Sequence, residues 1–426
     1  MKISPARFAA FNVLLRIETE KSFSSILLPV YESGLSAADR SLCHELTLGT
    51  LRRQIYIDKI IDNYSSGKKL DAAVRVALRL GAYQLLHLDK VPEYSAVNES
   101  VNLVQIAKKT SAKGFVNAIL RRIGKDKPAL TYSDEIDRLS VETSHPRWLI
   151  EKWIGEFGGE QAAALAVANN QVSEQAFRLL GDGSIDNYTA RCSEFVDGCY
   201  LTNKIDSTLI AAAENSEIYF QDEGSQMIAC SIEIPAGGNF LDVCAAPGGK
   251  TGMIVKRNAS NVQFAVAGDL YWQRATVLRD NCLRQGVGNV NVVQYDAENA
   301  LPFFDNSFDT VFVDAPCSGT GTIRHNPELR YFLTPADIVE LSAKQLKILA
   351  NASKLVTRGG SLVYSTCSLE TEENEMVCQK FLSENADFQI VKPNVPKRFI
   401  TSEGFARTFP HRDNMDGFFI AQLHKR

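Results

Sequence analysis

The side chains best suited to chemistry sit in the second half of the chain, where short apolar runs end in acids or thiols. The first such run, Phe240-Leu241-Asp242-Val243-Cys244, passes into Ala245-Ala246-Pro247-Gly248-Gly249-Lys250-Thr251. A strand that turns tightly through glycine into a helix lets the backbone approach a nucleotide-like ligand closely. Three readings compete for this turn. It ends in Gly-Lys-Thr as a P-loop does, and Val311-Phe312-Val313-Asp314 could serve as the magnesium-binding strand of an NTPase. A P-loop, however, needs glycine where Cys244 stands, and Pro247 interrupts the loop. The plainest reading is the glycine turn of any α/β domain. Asp269 closes the second run, 27 positions after Asp242, and an acid there can bind ribose hydroxyls. Asp296 follows the third run, Val292-Val293-Gln294-Tyr295-Asp296. Singly, each acid is a turn or cap residue; together, at successive strand ends, they suit a bound adenosine better than a triphosphate.

Two thiols occupy the next strand ends. The fourth run closes in Asp314-Ala315-Pro316-Cys317-Ser318-Gly319-Thr320-Gly321 and the fifth in Tyr364-Ser365-Thr366-Cys367-Ser368. In an open parallel sheet the carboxyl ends of the strands form the ligand crevice, so both thiols face it. A free cysteine is usually an inert small hydrophobe, which is how Cys230, Cys282 and Cys378 read. From position alone, either Cys317 or Cys367 could be a nucleophile.

The elements that must carry these residues begin near Gly238. Apolar runs at 239–244, 263–269, 290–296, 310–314 and 361–367 alternate with helical stretches such as 272–285 and 335–357, a pattern that implies right-handed crossovers and a parallel sheet covered on both faces. Upstream, residues 72–86 and 115–123 repeat apolar positions three and four apart, the second stretch stopping at Gly124, and no strand pattern competes before residue 130. An all-α domain is expected there. Lys125-Asp126-Lys127-Pro128 reads as a boundary, His145-Pro146-Arg147-Trp148 as a helix start, and 177–220 as a small α/β segment.

Composition excludes other classes. A chain of 426 residues, 45% hydrophobic and 23% charged, is an ordinary globular protein of two or three domains. It has no apolar run long enough for a membrane helix, and its N-terminus does not read as a secretory signal. Nine cysteines without a Cys-x-x-Cys pair point to the reducing cytoplasm and away from disulfides or structural zinc. Residues 1–130 hold 20 Lys+Arg against 12 Asp+Glu, a balance of +8, while the remainder holds 26 against 38, a balance of −12. A basic module on an acidic body suggests a polyanionic partner, with clusters at Arg52-Arg53, Lys68-Lys69, Lys108-Lys109 and Arg121-Arg122; the bland alternative is solvated helix faces.

On residues 244–250, 314–321 and Thr366-Cys367-Ser368, the chain resembles the Sun/Fmu family of RNA cytosine-5 methyltransferases, specifically its RsmB-type 16S rRNA members. Gln221-Asp222-Glu223-Gly224-Ser225-Gln226 and Asp416-Gly417-Phe418-Phe419 are similar to family segments too, and the resemblance spans nearly the whole length. Phe177-Arg178-Leu179-Leu180 departs from the family's Arg-Val-Asn-like strand. The resemblance implies a NusB-like helical RNA-binding domain at 1–130, a small α/β RNA-contacting domain with linker at 131–222, and a Rossmann-like S-adenosylmethionine-dependent methyltransferase domain at 223–426.

The implied reaction moves a methyl group from S-adenosyl-L-methionine to carbon 5 of a cytosine, at position 967 of 16S rRNA, through a covalent cysteine–cytosine intermediate. A thiolate adding at carbon 6 makes carbon 5 nucleophilic enough to take the methyl group. A free thiol near pKa 8.5 is only a few per cent ionised at neutral pH, so the site should lower that value or acid should assist the addition. DNA cytosine methyltransferases use a Pro-Cys thiol, which nominates Cys317. The RNA family uses the Thr-Cys-Ser thiol, which nominates Cys367 and leaves Cys317 to product release. The family's roles place Asp314 at ring N3 and beside the cofactor. Cys244, Ala245, Ala246, Pro247, Gly248, Gly249 and Lys250 wrap its methionine and ribose, Asp269 binds the ribose, Asp296 contacts the adenine, and Arg274 joins the cofactor set. Also implied are a monomer acting in the cytoplasm on unassembled or partly assembled 16S rRNA, with no membrane and no metal. The rival readings are a P-loop NTPase, a cytosine-5 methyltransferase of another rRNA site or of tRNA, and a non-catalytic RNA-binding factor.

Overall fold

Beyond residue 171 the apolar runs become strands and the amphipathic runs the helices that cover them. The computed structural model describes residues 3–67, 69–126 and 128–426, so Lys68 and Lys127 lie outside the described residues. Contacts divide the chain into two compact units, Met1–Gln171 with Ile323–Phe332, and Val172–Thr322 with Leu333–Arg426.

In the first unit, the helices Pro5–Glu20, Ser24–Tyr31, Ala37–Arg52, Gln54–Ser65, Ala72–His87, Glu93–Ile106 and Lys113–Lys125 precede Glu135–Thr143, Arg147–Phe157 and Gly159–Ala168. No strand occurs among its described residues. Asp71 caps Ala72–His87 by accepting from the Ala73 backbone N–H, a local start signal visible in the sequence. That helix is buried nearly all round, through Val74, Val76, Ala77, Leu78, Leu80 and Ala82, as expected of a helix at the centre of a bundle. Gly124 lies inside Lys113–Lys125, which ends at Asp126; the helix runs past the expected glycine stop. Pro146 stands at the N-cap of Arg147–Phe157.

Several basic residues of this unit turn inward. Arg79 clamps Asp58 and Glu18 at 2.7 Å each, and buried Arg52 donates to the Arg324 carbonyl at 3.0 Å. The short segment Ile323–Phe332 supplies three more buried charged residues, Arg324, Glu328 and Arg330. Glu328 accepts from the Ser24 backbone N–H at 2.6 Å, and Arg330 donates to the Thr143 and Ser144 carbonyls and to Asn170. The cationic surface is therefore smaller than the +8 balance suggests. Lys69, Lys108, Arg121, Arg122 and Lys125 remain exposed.

The second unit holds two sheets. Strands β1 (Gln175–Leu179), β2 (Arg191–Cys192), β3 (Cys199–Thr202) and β4 (Ile218–Phe220) form a small antiparallel sheet in the order β2-β3-β1-β4, accompanied by the helix Ser207–Glu214. The large sheet contains β5 (Gly238–Asp242), β6 (Val262–Asp269), β7 (Val290–Gln294), β8 (Phe308–Asp314), β9 (Val356–Thr366), β10 (Phe388–Val391), β11 (Ala406–Arg407) and β12 (Phe419–Lys425). Its order is β10-β12-β9-β8-β5-β6-β7, with β11 beside β12. From β9 to β7 the strands are parallel, as the alternating pattern implied. β10, β11 and β12 join antiparallel, an extension the sequence did not announce.

Period-two alternation explains why these strands are apolar throughout. Phe240, Phe312 and Val363 pack on one side with Ile254 and Leu278, while Leu241, Val311, Leu362 and Tyr364 pack on the other with Ile348 and Leu349. Both faces are buried, the usual state of a parallel sheet. Chain order reverses at β5, whose neighbours are β6 and β8, so the crevice at that switch point is where a ligand belongs. No helix among the described residues is long and apolar enough to cross a membrane.

Candidate active site

The glycine loop leaves β5 at Asp242 and enters the helix Gly249–Arg257. Gly248 caps that helix with φ +100°, a conformation that favours glycine. A Cβ there would also meet the Leu278 side chain at 2.9 Å. The helix Trp272–Arg284 and the residue after it hold the loop by its carbonyls: Arg274 donates to Ala246, Asn281 to Pro247 at 2.8 Å and Gln285 to Gly248 at 3.0 Å.

The loop's charged and hydroxyl groups are already engaged with carboxylates. Lys250 Nζ lies 2.7 Å from Asp314 Oδ2, and Thr251 Oγ1 donates to Asp242 Oδ2 at 2.7 Å. Burial works to lower the Lys250 ammonium, but the Asp314 carboxylate outweighs it and holds the lysine above its usual value. In a P-loop these two side chains serve phosphate and magnesium; here they serve acids, which argues against the NTPase reading.

A cavity of about 410 Å³ opens at the switch point. Cys244, Ala246, Asp269, Arg274, Asp296, Asp314, Cys317 and Cys367 all line it, together with Tyr295 and Lys344. Asp269 is buried at the end of β6, accepts from the Tyr271 backbone N–H at 3.2 Å and lies 3.4 Å from Arg274. Asp296 accepts from Glu298 N and Asn299 Nδ2 at 2.9 Å each. A smaller cavity of about 200 Å³ is lined by Ala245, Pro247, Gly249, Lys250, Asp242 and Asp314, with Gln221 and Asp222. Gly248 turns the loop without lining either cavity. Arg178, in the divergent 177–180 stretch, is buried and donates to Gln221 at 3.1 Å.

The residues present fit an adenosine-bearing sulfonium. Three acids around the larger cavity, Asp269, Asp296 and Asp314, disfavour a triphosphate and favour a cation and ribose hydroxyl donors. Asp242 Oδ1 and the Tyr295 hydroxyl are buried without a partner, and buried polar groups normally have one. Burial pushes the Asp242 carboxyl up to about 7. The larger volume falls within the range of small-molecule sites.

The thiols meet. Parallel pairing of β8 with β9 sets Asp314 against Ser365, and the chain then delivers Cys317 and Cys367 to one place, with their sulfurs 3.4 Å apart. Asp314 is held on both oxygens, by Lys250 and by Ser365 Oγ at 2.6 Å. The hydrogen bond to Cys367, then burial, holds the Cys317 thiol well above its ordinary value, so it stays protonated at neutral pH. Burial first, then Asp242, raises the Cys244 thiol as well. Gly321 donates its backbone N–H to the Cys367 carbonyl, and Gly417 donates to the Gly321 carbonyl, both at 2.9 Å. A Cβ on Gly321 would meet the Gly417 carbonyl at 2.1 Å, which explains glycine at this close approach.

Sequence reasoning placed Lys250 only in the loop and did not connect it to Asp314. It also missed Ser365, Gln345, Glu373 and Asn374. A lysine six residues into a glycine loop and an acid run at Glu372-Glu373 give no signal separating them from solvated charges.

Comparisons with known proteins give the family and the fold. Residues 230–424 match the family described as 16S rRNA methyltransferase RsmB/F, and residues 4–125 match the NusB family. The chain is 30% identical to the probable ribosomal RNA small subunit methyltransferase B of Bacillus subtilis (strain 168), covering all of both proteins. It is also 30% identical to the ribosomal RNA small subunit methyltransferase B of Pseudomonas syringae pv. tomato, over 98% of this chain and 96% of that one. Among solved structures it is similar to PH0851, at a TM-score of 0.86 and 26% identity over all of both chains.

Proposed function

Since the chain belongs to the 16S rRNA methyltransferase RsmB/F family, an S-adenosylmethionine-dependent group of rRNA methyltransferases, we propose that it methylates carbon 5 of a cytosine in 16S rRNA, at position 967, through a covalent bond to Cys367. The observation that carries this reading is the pair of sulfurs 3.4 Å apart beside Asp314. Cys367, as thiolate, adds at carbon 6 of the ring. A proton shared between Asp314 and ring N3 moves to N3 as negative charge develops on the ring and returns to Asp314 when the ring is restored, the carboxyl group itself being kept in place by Lys250 and Ser365. S-adenosylmethionine, when bound, would supply the electrophilic methyl group; the activated carbon 5 takes it as the sulfonium–methyl bond breaks with its electron pair going to sulfur, and the neutral thioether departs. Once Cys367 is bonded to carbon 6, its sulfur no longer raises the Cys317 thiol; Cys317 then gives its proton to water, takes the carbon-5 proton as a thiolate, and the bond to Cys367 breaks with its electron pair returning to sulfur. The target base must be unstacked to reach the crevice, which unassembled or partly assembled rRNA makes cheap. We place the enzyme in the cytoplasm, acting as a monomer without a metal. Bisulfite sequencing of 16S rRNA from a strain lacking this chain tests the site. Loss of protection at position 967 supports it, and unchanged protection there contradicts it.

In the same reading, the loop Cys244, Ala245, Ala246, Pro247, Gly248, Gly249 and Lys250 wraps the methionine and ribose, Asp269 binds the ribose hydroxyls, Asp296 contacts the adenine, and Arg274 steadies Asp269. Asp269→Ala is expected to weaken S-adenosylmethionine binding by roughly 1.5–3 kcal/mol, the scale of a charge-assisted hydrogen bond. Calorimetry decides this, and unchanged affinity, or tight binding of ATP instead, contradicts the cofactor assignment.

Residues 1–130 we assign to gripping rRNA phosphates. Because Arg52 and Arg79 serve the interior of their unit, the grip falls to exposed Lys69, Lys108, Arg121, Arg122 and Lys125. Each of these that contacts a phosphate should, when replaced by alanine, lower the salt slope of log K by about 0.7–0.9. RNA binding measured across a salt series for Arg121→Ala with Lys125→Ala checks it; curves superimposable on the wild type would give this face another role.

A further inference from the structure

We propose that Glu373 is the positioning residue that sets the distance between the two thiols, acting through hydrogen bonds and not as a proton donor or acceptor. Its place in the reaction rests on the function proposed above; the spacing it enforces does not.

Glu373 is 0% exposed, and it reaches the residue after each cysteine. Its Oε1 accepts from the Ser318 backbone N–H at 2.8 Å and from Gln345 Nε2 at 2.9 Å. Its Oε2 accepts from the hydroxyls of both Ser318 and Ser368. Ser318 follows Cys317 and Ser368 follows Cys367, so one carboxylate ties together two loops that arise from different strands. The residues before the cysteines are tied as well. Gln345 Nε2 also donates to the Pro316 carbonyl at 2.9 Å. Thr366 Oγ1 donates to Asn374 Oδ1 at 2.5 Å, and Asn374 Nδ2 returns a bond to the Ser368 carbonyl at 2.9 Å. The backbone of Glu373 is anchored in turn by the Tyr364 hydroxyl, which donates to its carbonyl at 2.6 Å.

The physical need is clear. Loops leaving the carboxyl ends of strands have no ladder to hold them, and displacing a reacting group by about 1 Å can cost on the order of 100-fold in rate. A buried carboxylate that meets four donors resists such drift, because opening either loop strands a polar group away from water. Glutamine can make the same bonds. Its carbonyl takes the place of Oε1, and its amide donates to the two serine oxygens, whose hydroxyls can reorient. Alanine makes none of them, and aspartate is one methylene too short to span both loops.

The test measures spacing and reaction separately in the full chain. Diamide oxidises a pair of adjacent thiols to a disulfide, taking both hydrogens and becoming the hydrazine. The Cys317–Cys367 cross-link is followed by peptide mapping in the wild type and in Glu373→Gln, Glu373→Asp and Glu373→Ala, with thermal unfolding measured alongside. The expected result is fast cross-linking in the wild type, a slowing of about tenfold or more in the aspartate and alanine variants, and recovery to within about twofold in the glutamine variant. This is the pattern for loss of geometric preorganisation rather than of an acid or base. Should the alanine variant fail to fold, aspartate against glutamine carries the comparison. In methyl transfer to rRNA, the aspartate variant should lose kcat with KM little changed and should hold a larger steady-state fraction of enzyme–RNA adduct. Wild-type speed of cross-linking in the folded aspartate and alanine variants, or no cross-link in the wild type, overturns the spacing role. A glutamine variant that cross-links normally but loses kcat as aspartate does overturns it in favour of proton transfer. If the wild type does not methylate rRNA at all, the proposed function fails while the cross-linking comparison still decides the role of Glu373.

Discussion

Cys367→Ala is expected to lower the rate of methyl transfer by at least about 1,000-fold, equivalent to about 4 kcal/mol of barrier, while leaving S-adenosylmethionine affinity near that of the wild type. Without the thiolate, carbon 6 receives no nucleophile and carbon 5 stays too poor in electrons to take a methyl group. The cofactor contacts proposed for the glycine loop, Asp269 and Asp296 come from the ends of β5 and β6 and the loop after β7, whereas Cys367 follows β9; removing its sulfur takes away none of them. Single-turnover methyl transfer and calorimetry on the same preparation check both halves. Wild-type turnover by Cys367→Ala would show that the nucleophile lies elsewhere, with Cys317 the next candidate.

Cys317→Ser is expected to fail in a different way, stalling after addition and accumulating a protein–RNA species that survives denaturant. Serine keeps the shape beside Cys367, so addition and methyl transfer proceed once. Its hydroxyl ionises far less readily than a thiol, and the carbon-5 proton loses its acceptor. A denaturing gel with labelled RNA should therefore show close to one adduct per enzyme, against little for the wild type. Cys317→Ser that turns over normally, with no adduct, would remove Cys317 from the release step.

These residues were legible because strand ends are legible. Apolar runs of strand length, each closing in an acid or a thiol, placed Asp242, Asp269, Asp296, Asp314, Cys317 and Cys367 along one sheet edge, and the parallel order that follows from alternating helices brings them together. The antiparallel β12 escaped because the helix Glu375–Glu384 before β10 continues the alternating pattern, whereas β12 enters the sheet between β9 and β10 in the opposite direction with nothing local to mark it. Inward charges escaped for a different reason. Arg79 and Asp58 are 21 positions apart, Glu18 and Arg79 are 61 apart, and Ser24 pairs with Glu328 across 304; a pairing of that range leaves no local periodicity. The +8 balance was a true sum, but summed charge does not say which guanidinium groups face water. Glu373 combines both difficulties, since it sits in a run of acids that resembles a solvated face and makes its bonds to Ser318 across 55 positions.

The most direct test of the central claim is to identify which sulfur carries the base. The denaturant-resistant adduct of Cys317→Ser with rRNA is digested with nuclease and protease, and the peptide bearing the residual nucleotide is sequenced by mass spectrometry. The nucleotide is expected on Cys367, as a cytidine already methylated at carbon 5. A nucleotide on any other residue, or methylation of rRNA with no adduct on Cys367, would contradict the account.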